Sequence, residues 1–492
     1  MCKMKYSNPI IRGFYPDPSM CRAGDMYYMV CSSMQVFPGV PLFESKDMVN
    51  WTQIGHCLTR PSQIALDGVR SSGGVFAPTI RYNDGRFYMV TTNDSTHENF
   101  YVYTDDIHGE WSEPVPVDQD GIDPSLFFED GHSYFISNGS DENGIGSIQM
   151  CEIEIETGRK LSESKILWQG TGGRFLEAPH MYKFGDYYYL LEAEGGTEYG
   201  HMTNYSRSKN LWGPFESYPG NPVLTNRNLG GYPIQAVGHG DIVEDAHGNW
   251  WFAHLAREVC LVPLHWREDG WFEIGVNGTT PTEVELPDSI SFAPQNFSYD
   301  KTFENLSQKT DWCYLRIPSM ENYRFEKDSV ALHGTSVTME DVASPTFAAI
   351  RQTEFFEDIT VDVIPGEQTS GICFYMDENH HYEIRIDKAG QTTAVYSRQK
   401  IGVIHQDSEK IEIHSDQVHL HIVADNLQYH FYVTDDNGKE VFLSDAETRY
   451  LSSEVAGGFT GTLIGLFAIA GSAKDAWSTF KNLHVKHTEN PS

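Results

Sequence analysis

A turn followed by an aromatic strand recurs five times in the first half of the chain, and no other feature narrows the fold as far. It reads Gly24-Asp25-Met26-Tyr27-Tyr28, Gly85-Arg86-Phe87-Tyr88, Gly131-His132-Ser133-Tyr134-Phe135, Gly185-Asp186-Tyr187-Tyr188-Tyr189 and Gly248-Asn249-Trp250-Trp251-Phe252. The glycines are separated by 61, 46, 54 and 63 residues. A unit of roughly 40–60 residues that holds several short strands is the sequence mark of a β-propeller. Five copies predict five blades. Two further pieces, Ser45-Lys46-Asp47-Met48-Val49-Asn50-Trp51 and Ser206-Arg207-Ser208-Lys209-Asn210-Leu211-Trp212, read as matching outer hairpins.

The chain has 492 residues, more than one ordinary core holds, so a second domain is expected. The segment Thr280-Pro281-Thr282-Glu283-Val284-Glu285-Leu286-Pro287-Asp288, with Pro294 beyond it, reads as an exit linker. After it the texture changes to alternating apolar and polar runs at 359–363, 382–386, 418–422 and 427–431. Turns such as Asp435-Asp436-Asn437-Gly438 separate some of them, which is the pattern of a β-sandwich. The expected organisation is all-β: a five-bladed β-propeller over 1–288, then a C-terminal β-sandwich over 297–492.

Charge and cysteine usage exclude several functions. The net charge of −34 repels phosphate backbones and anionic membranes, so neither nucleic acid nor membrane is an expected partner. The eight cysteines have no Cys-x-x-Cys spacing, so buried free thiols in a reducing compartment are expected. The start has no apolar leader and no stretch of 18 apolar residues follows, which predicts a cytoplasmic protein.

Three carboxylates stand in proline-stiffened frames in phase with the repeat. They are Asp17 in Tyr15-Pro16-Asp17-Pro18-Ser19, Asp123 in Ile122-Asp123-Pro124-Ser125, and Glu177 in Leu176-Glu177-Ala178-Pro179-His180. One Asp-Pro-Ser is a common turn, in which the aspartate caps the backbone. Three acids that each open a propeller unit converge on the central channel instead. Cleavage of a glycosidic bond needs a general acid for the leaving oxygen and a second carboxylate for the attack at the anomeric carbon. Glu177, with an apolar flank that raises a carboxyl pKa, is the expected acid. Asp17, held between two prolines, is the expected base. Asp123 would keep Glu177 protonated by like-charge repulsion and hold it in place.

These frames resemble those of glycoside hydrolase family 43, as do Glu194-Gly195-Gly196-Thr197-Glu198-Tyr199-Gly200-His201 and Val237-Gly238-His239-Gly240-Asp241. The likeness is strongest to the two-domain β-xylosidase/α-L-arabinofuranosidase branch. It implies an inverting hydrolase with Asp17 as base, Glu177 as acid and Asp123 as pKa modulator. The carboxyls of an inverting pair stand about 6.5–9.5 Å apart. It also points to Phe37, Phe76, Thr197, His239 and Arg257 in the substrate pocket or channel. No cofactor is implied as required. His239 is left between a hydrogen-bonded structural role and holding water or a structural Ca2+ in the channel, and the sequence has no evident oxygen-rich ligand set.

The chain departs from the family pattern in three places. Phe76 stands where many relatives carry Trp or Tyr. The loop before Arg257 is nearly absent. Leu463 stands where some relatives project an aromatic from the sandwich.

The expected activity is release of a terminal β-D-xylose, an α-L-arabinofuranose or both from short oligosaccharides of hemicellulose. Two alternatives are a catalytically silent carbohydrate-binding propeller and an arabinan- or galactan-directed hydrolase. The expected partner is a small oligosaccharide, and a homo-oligomer is left open.

Overall fold

The computed structural model describes residues 4–286, 292–471 and 475–489. Cys2 and the expected boundary at residue 288 lie outside the described residues. The chain divides into two compact units. One comprises Met1–Ser33, Pro38–Ala65 and Gly74–Gln295, and the other Met34–Phe37, Leu66–Gly73 and Asn296–Ser492.

The first unit is a five-bladed propeller. Each blade is a four-stranded sheet, of consecutive strands except that blade one passes over the strand Val36–Phe37, and the inner strands are Ser19–Ala23, Thr79–Asn83, Ser125–Glu129, Glu177–Phe184 and Gly238–Glu244. Each inner strand touches the next, and the fifth returns to the first, so the ring is closed. The five repeated glycines all lie in the turn that follows an inner strand. Their φ values run from +58° to +86°, a left-handed conformation that glycine adopts without a Cβ penalty. The two matched outer hairpins join the third strand to the outermost one in blades one and four.

The aromatic half of the repeat fills the wedges between blades. Tyr27, Met29, Trp251 and Leu261 meet between blades one and five, and Tyr189, Tyr205, Phe252 and Phe272 between blades four and five. Tyr205 and Phe272 stack with centroids 3.9 Å apart. Fully burying a large apolar side chain contributes about 1.5–3 kcal/mol, so the recurring rings account for much of the cohesion of the ring.

Closure uses the two ends of the unit. Lys5–Ser7 pairs antiparallel with Glu283–Glu285, Asn8 N–H donates to the Thr282 carbonyl at 2.8 Å, and the buried Tyr6 hydroxyl donates to the Leu261 carbonyl at 2.7 Å.

The second unit is sandwich-like. Among the described residues its strands form an eight-stranded and a seven-stranded antiparallel sheet. The alternating runs of the sequence fall on Glu357–Ile364, His380–Ala389, Val418–Ala424 and Gln428–Thr434. Along Val418–Ala424 every second residue is buried, as expected of strands with one face on a core. The only α-helix among the described residues is Ser453–Ala456, and no helix is long and apolar enough to cross a membrane.

Candidate active site

Each of the three acids sits where an inner strand begins. Asp17 and Asp123 each precede their strand by two residues, and Glu177 is the first residue of its own. The backbone is left-handed at Asp17 (φ 56°), Asp123 (φ 52°) and Ala178 (φ 56°). Aspartate visits that region more readily than most residues, because its short side chain bonds locally. Ser32 fixes Asp17: its hydroxyl donates to Asp17 Oδ2 at 2.5 Å and its N–H to the Pro16 carbonyl at 2.9 Å. The Asp123 frame depends on Gly121, where a Cβ would lie 1.7 Å from the Asn138 carbonyl oxygen. Ile122 N–H then donates to Asn138 Oδ1 at 2.7 Å. Glu177 is aimed by a bulge, since the register with the neighbouring strand shifts between Glu177 and His180.

The serines of the repeated Asp-Pro-Ser have a structural reason. Ser19 donates to Asp241 Oδ2 at 2.6 Å, and Ser125 donates to the Pro179 carbonyl at 2.6 Å. Each serine ties its acid's strand to another blade, Asp17 to blade five and Asp123 to the Glu177 bulge.

The three carboxyls interact electrostatically. Burial and then the charge of Asp17 push Glu177 up to about 7. Burial, Glu177 and Asp17 push Asp123 well above the usual carboxylate range, against a hydrogen bond from Ala178 N–H. The repulsion expected from Asp123 on Glu177 is thus distributed differently, with Asp17 the charge that acts on Glu177. Asp123, the drier group, bonds to the backbone beside Glu177 and so holds that residue in place. Burial and the neighbouring carboxyls thus favour the protonated forms of Glu177 and Asp123.

Below them lies a charge network that sequence reading did not assemble. Asp241 on the fifth inner strand is fully buried. It accepts from Arg81 Nη1 at 2.6 Å, Ser19 at 2.6 Å, Met20 N–H at 3.2 Å and the Tyr182 hydroxyl. Arg81 Nη2 lies 2.8 Å from His180 Nδ1, and because guanidinium only donates, that nitrogen accepts. Burial would raise Asp241, but Arg81, His180 and the hydrogen bonds hold it at about 2. The signal was present in Thr79-Ile80-Arg81, a cation inside an otherwise uncharged inner strand.

His239 stands between the network and the acids. It is buried, and its Nδ1 is 3.4 Å from Asp17 Oδ1. Its own frame is tight: a Cβ on Gly238 would meet the His201 ring at 2.6 Å.

The remaining pocket residues divide. Arg257 is the single residue between Trp250–Ala256 and Glu258–Trp266, so the short loop is a one-residue tip with φ 65°. Its Nη2 donates to the Thr197 carbonyl at 2.9 Å, which brings these two together. Arg257 also acts electrostatically on His201, which acts in turn with His239. Phe76 is half-buried and precedes the second inner strand by three residues, a place comparable to that of Asp17 in blade one. Phe37 falls in the second unit, buried, with its backbone paired to Tyr314, and its assignment to the pocket rests on the resemblance alone. Leu463 lies in the apolar core of the second unit.

The calcium ion suggested for the channel is not supported by any side-chain cluster among the described residues. Among the described residues no group of three or more His, Cys, Asp or Glu side chains is arranged to hold a metal. Of the two carboxylates around His239, Asp241 already accepts from Arg81, Ser19 and Tyr182, and the Arg81 cation disfavours a second one beside it.

The profile described as Glycosyl hydrolases family 43 matches residues 6–272, and that of the β-xylosidase C-terminal concanavalin A-like domain matches 300–486. A non-reducing end α-L-arabinofuranosidase of Bacteroides ovatus is 36% identical over 95% of this chain and 92% of the relative. A xylosidase/arabinosidase of Butyrivibrio fibrisolvens is 34% identical over 98% of this chain and 99% of the relative. The solved structure of a GH43B protein from a Bacteroides ovatus xyloglucan PUL superposes with a TM-score of 0.90, at 34% identity, covering 99% of this chain and 100% of that one. The chain belongs to glycoside hydrolase family 43, in its two-domain β-xylosidase/α-L-arabinofuranosidase branch, and is a glycoside hydrolase.

Proposed function

We propose that this chain is an inverting, exo-acting glycosidase that releases terminal β-D-xylosyl residues, α-L-arabinofuranosyl residues or both from short hemicellulose-derived oligosaccharides. The observation that carries the mechanism is the pairing of a carboxyl raised to about 7, Glu177, with the rigidly held carboxylate of Asp17. Glu177 protonates the glycosidic oxygen as the bond to the anomeric carbon breaks. Asp17 takes a proton from the water that attacks the opposite face, so the product has inverted configuration. Asp123 holds the Glu177 bulge through Ala178 N–H. Phe76, Thr197, His239 and Arg257 are assigned to the sugar pocket. Two relatives, a non-reducing end α-L-arabinofuranosidase and a xylosidase/arabinosidase, support the substrate class.

Catalysis is assigned to the propeller, read as 1–288, and an accessory role to the sandwich, read as 297–492. The seven described cysteines are buried, which supports a reducing, cytoplasmic setting. The net charge of −34 supports a neutral sugar as partner over nucleic acid or an anionic membrane. A homo-oligomer is compatible with this reading, and light scattering distinguishes it from a monomer.

A panel of nitrophenyl glycosides tests the proposal. Turnover of the β-D-xylopyranoside or the α-L-arabinofuranoside is expected. No turnover of any pentoside would favour a silent binding propeller.

A further inference from the structure

Arg81 touches none of the three acids, yet its contacts reach the strands of two of them. One guanidinium nitrogen bonds Asp241 at 2.6 Å and lies 3.5 Å from Ser19 Oγ, two residues beyond Asp17. The other is 2.8 Å from His180 Nδ1, three residues beyond Glu177. Asp241 is in turn two residues from His239, which stands at a bulge in that strand with φ 35°, and the His180 and His239 rings lie 6.3 Å apart. We propose that Arg81 is a positioning residue for the hydrolytic reaction: through Asp241 and His180 it fixes the channel histidine His239 beside Asp17, and with it the base half of the site.

The charges explain why a cation is needed there. His239 faces Asp17 at 3.4 Å from blade one, Asp241 on its own strand, and His180 and His201 from blade four. His180 faces Arg81, Asp241, His239 and the stacked Tyr182 ring. Two buried carboxylates around two imidazoles would draw protons onto the rings. Arg81 neutralises Asp241, and burial then holds His180 down at about 3 and lowers His239. The neutral rings leave Asp17 free to act as a base. Without Arg81, Asp241 is a buried unpaired charge, which recruits a proton onto His180 or His239. An imidazolium beside Asp17 stabilises its carboxylate and weakens it as a base, so activity is lost as pH falls through the histidine pKa.

This inference rests on the proposed roles of Asp17 and Glu177, and its test has a readout independent of turnover. Histidine ring proton signals are titrated by NMR in the wild type, Arg81→Gln and Arg81→Lys. The pH profiles of kcat and kcat/KM on a nitrophenyl pentoside are recorded in parallel. In Arg81→Gln a histidine silent in the wild type should titrate between pH 5 and 7. The acid limb of kcat/KM should move up by at least one pH unit, and kcat should fall about 100-fold with KM changed less than threefold. Arg81→Lys keeps the charge and should keep the wild-type acid limb, with kcat reduced less than tenfold. If Arg81→Gln does not fold, Tyr182→Phe removes one donor from Asp241 and should shift the limb the same way by at least half a unit. Unmoved histidines and an unmoved limb in the folded variants would overturn the inference. A wild type inactive on every pentoside would refute the function, while the NMR titration would still decide the role of Arg81.

Discussion

Replacing Glu177 by Gln removes the proton while keeping the shape. Glu177 is raised from 4.5 to about 7, so the folded protein favours its protonated form by about 3 kcal/mol relative to an exposed glutamate. The sign matters. A general acid works in its protonated form, present below 7 and lost as pH rises through 7, so kcat/KM on an unactivated disaccharide should fall about tenfold per pH unit above that value. A positioned acid contributes about 10²–10⁴-fold, or about 3–5 kcal/mol of barrier. Glu177→Gln should therefore lose that factor on xylobiose or an alkyl arabinofuranoside, whose leaving oxygens need a proton. On a dinitrophenyl pentoside the leaving group departs as a stable anion, so the loss should be under tenfold and the alkaline limb should be absent. Initial rates from pH 5 to 9 on both substrates decide it. Equal losses on both, or a limb near 7 that survives in the variant, would refute Glu177 as the acid.

Three other substitutions probe separate links. Asp17→Asn should abolish turnover of every substrate, activated or not, because no leaving group replaces the base; residual activity above about 1% of wild type would remove it from that role. Gly121→Ala should destabilise by more than about 2 kcal/mol, since a Cβ there would overlap the Asn138 carbonyl, and thermal unfolding reads this directly; an unchanged Tm would contradict the close approach. Glu192 is fully buried beside Glu194 and Asn204, and burial, then Glu194, raises it well above 4.5. Its folded form keeps the proton that the unfolded chain releases above about pH 4.5, so wild-type stability should fall with pH there. Glu192→Gln should gain on wild type by up to about 1.4 kcal/mol per pH unit between pH 5 and 8, and a pH-independent difference would refute this.

What was legible in the sequence is what neighbouring residues determine. The turn glycines and aromatic strands mark each blade because hairpin chemistry is local, and the acids stand out because each carries its own proline-bounded frame. The Arg81–Asp241 pair was hidden, with its partners 160 residues apart and joined only when the ring closes. The Asp-Pro-Ser repeat was visible, but its serines gain their meaning from Asp241 and Pro179 on other blades. The order of pKa shifts among the acids was beyond reach for the same reason, since burial decides it and burial is a property of the assembled channel. Phe37 illustrates the opposite limit: its place in the chain suggests a propeller loop, yet it packs with the second unit.

The stereochemistry of the first product tests the central claim most directly. Hydrolysis of a β-D-xylopyranoside followed by NMR in its first minutes should give α-xylose before mutarotation, and an α-L-arabinofuranoside should give the β-anomer. Either outcome places a water between Asp17 and the anomeric carbon, as a base-and-acid pair requires. Initial release of the retained anomer would mean a covalent intermediate, and would contradict the roles given to Asp17 and Glu177.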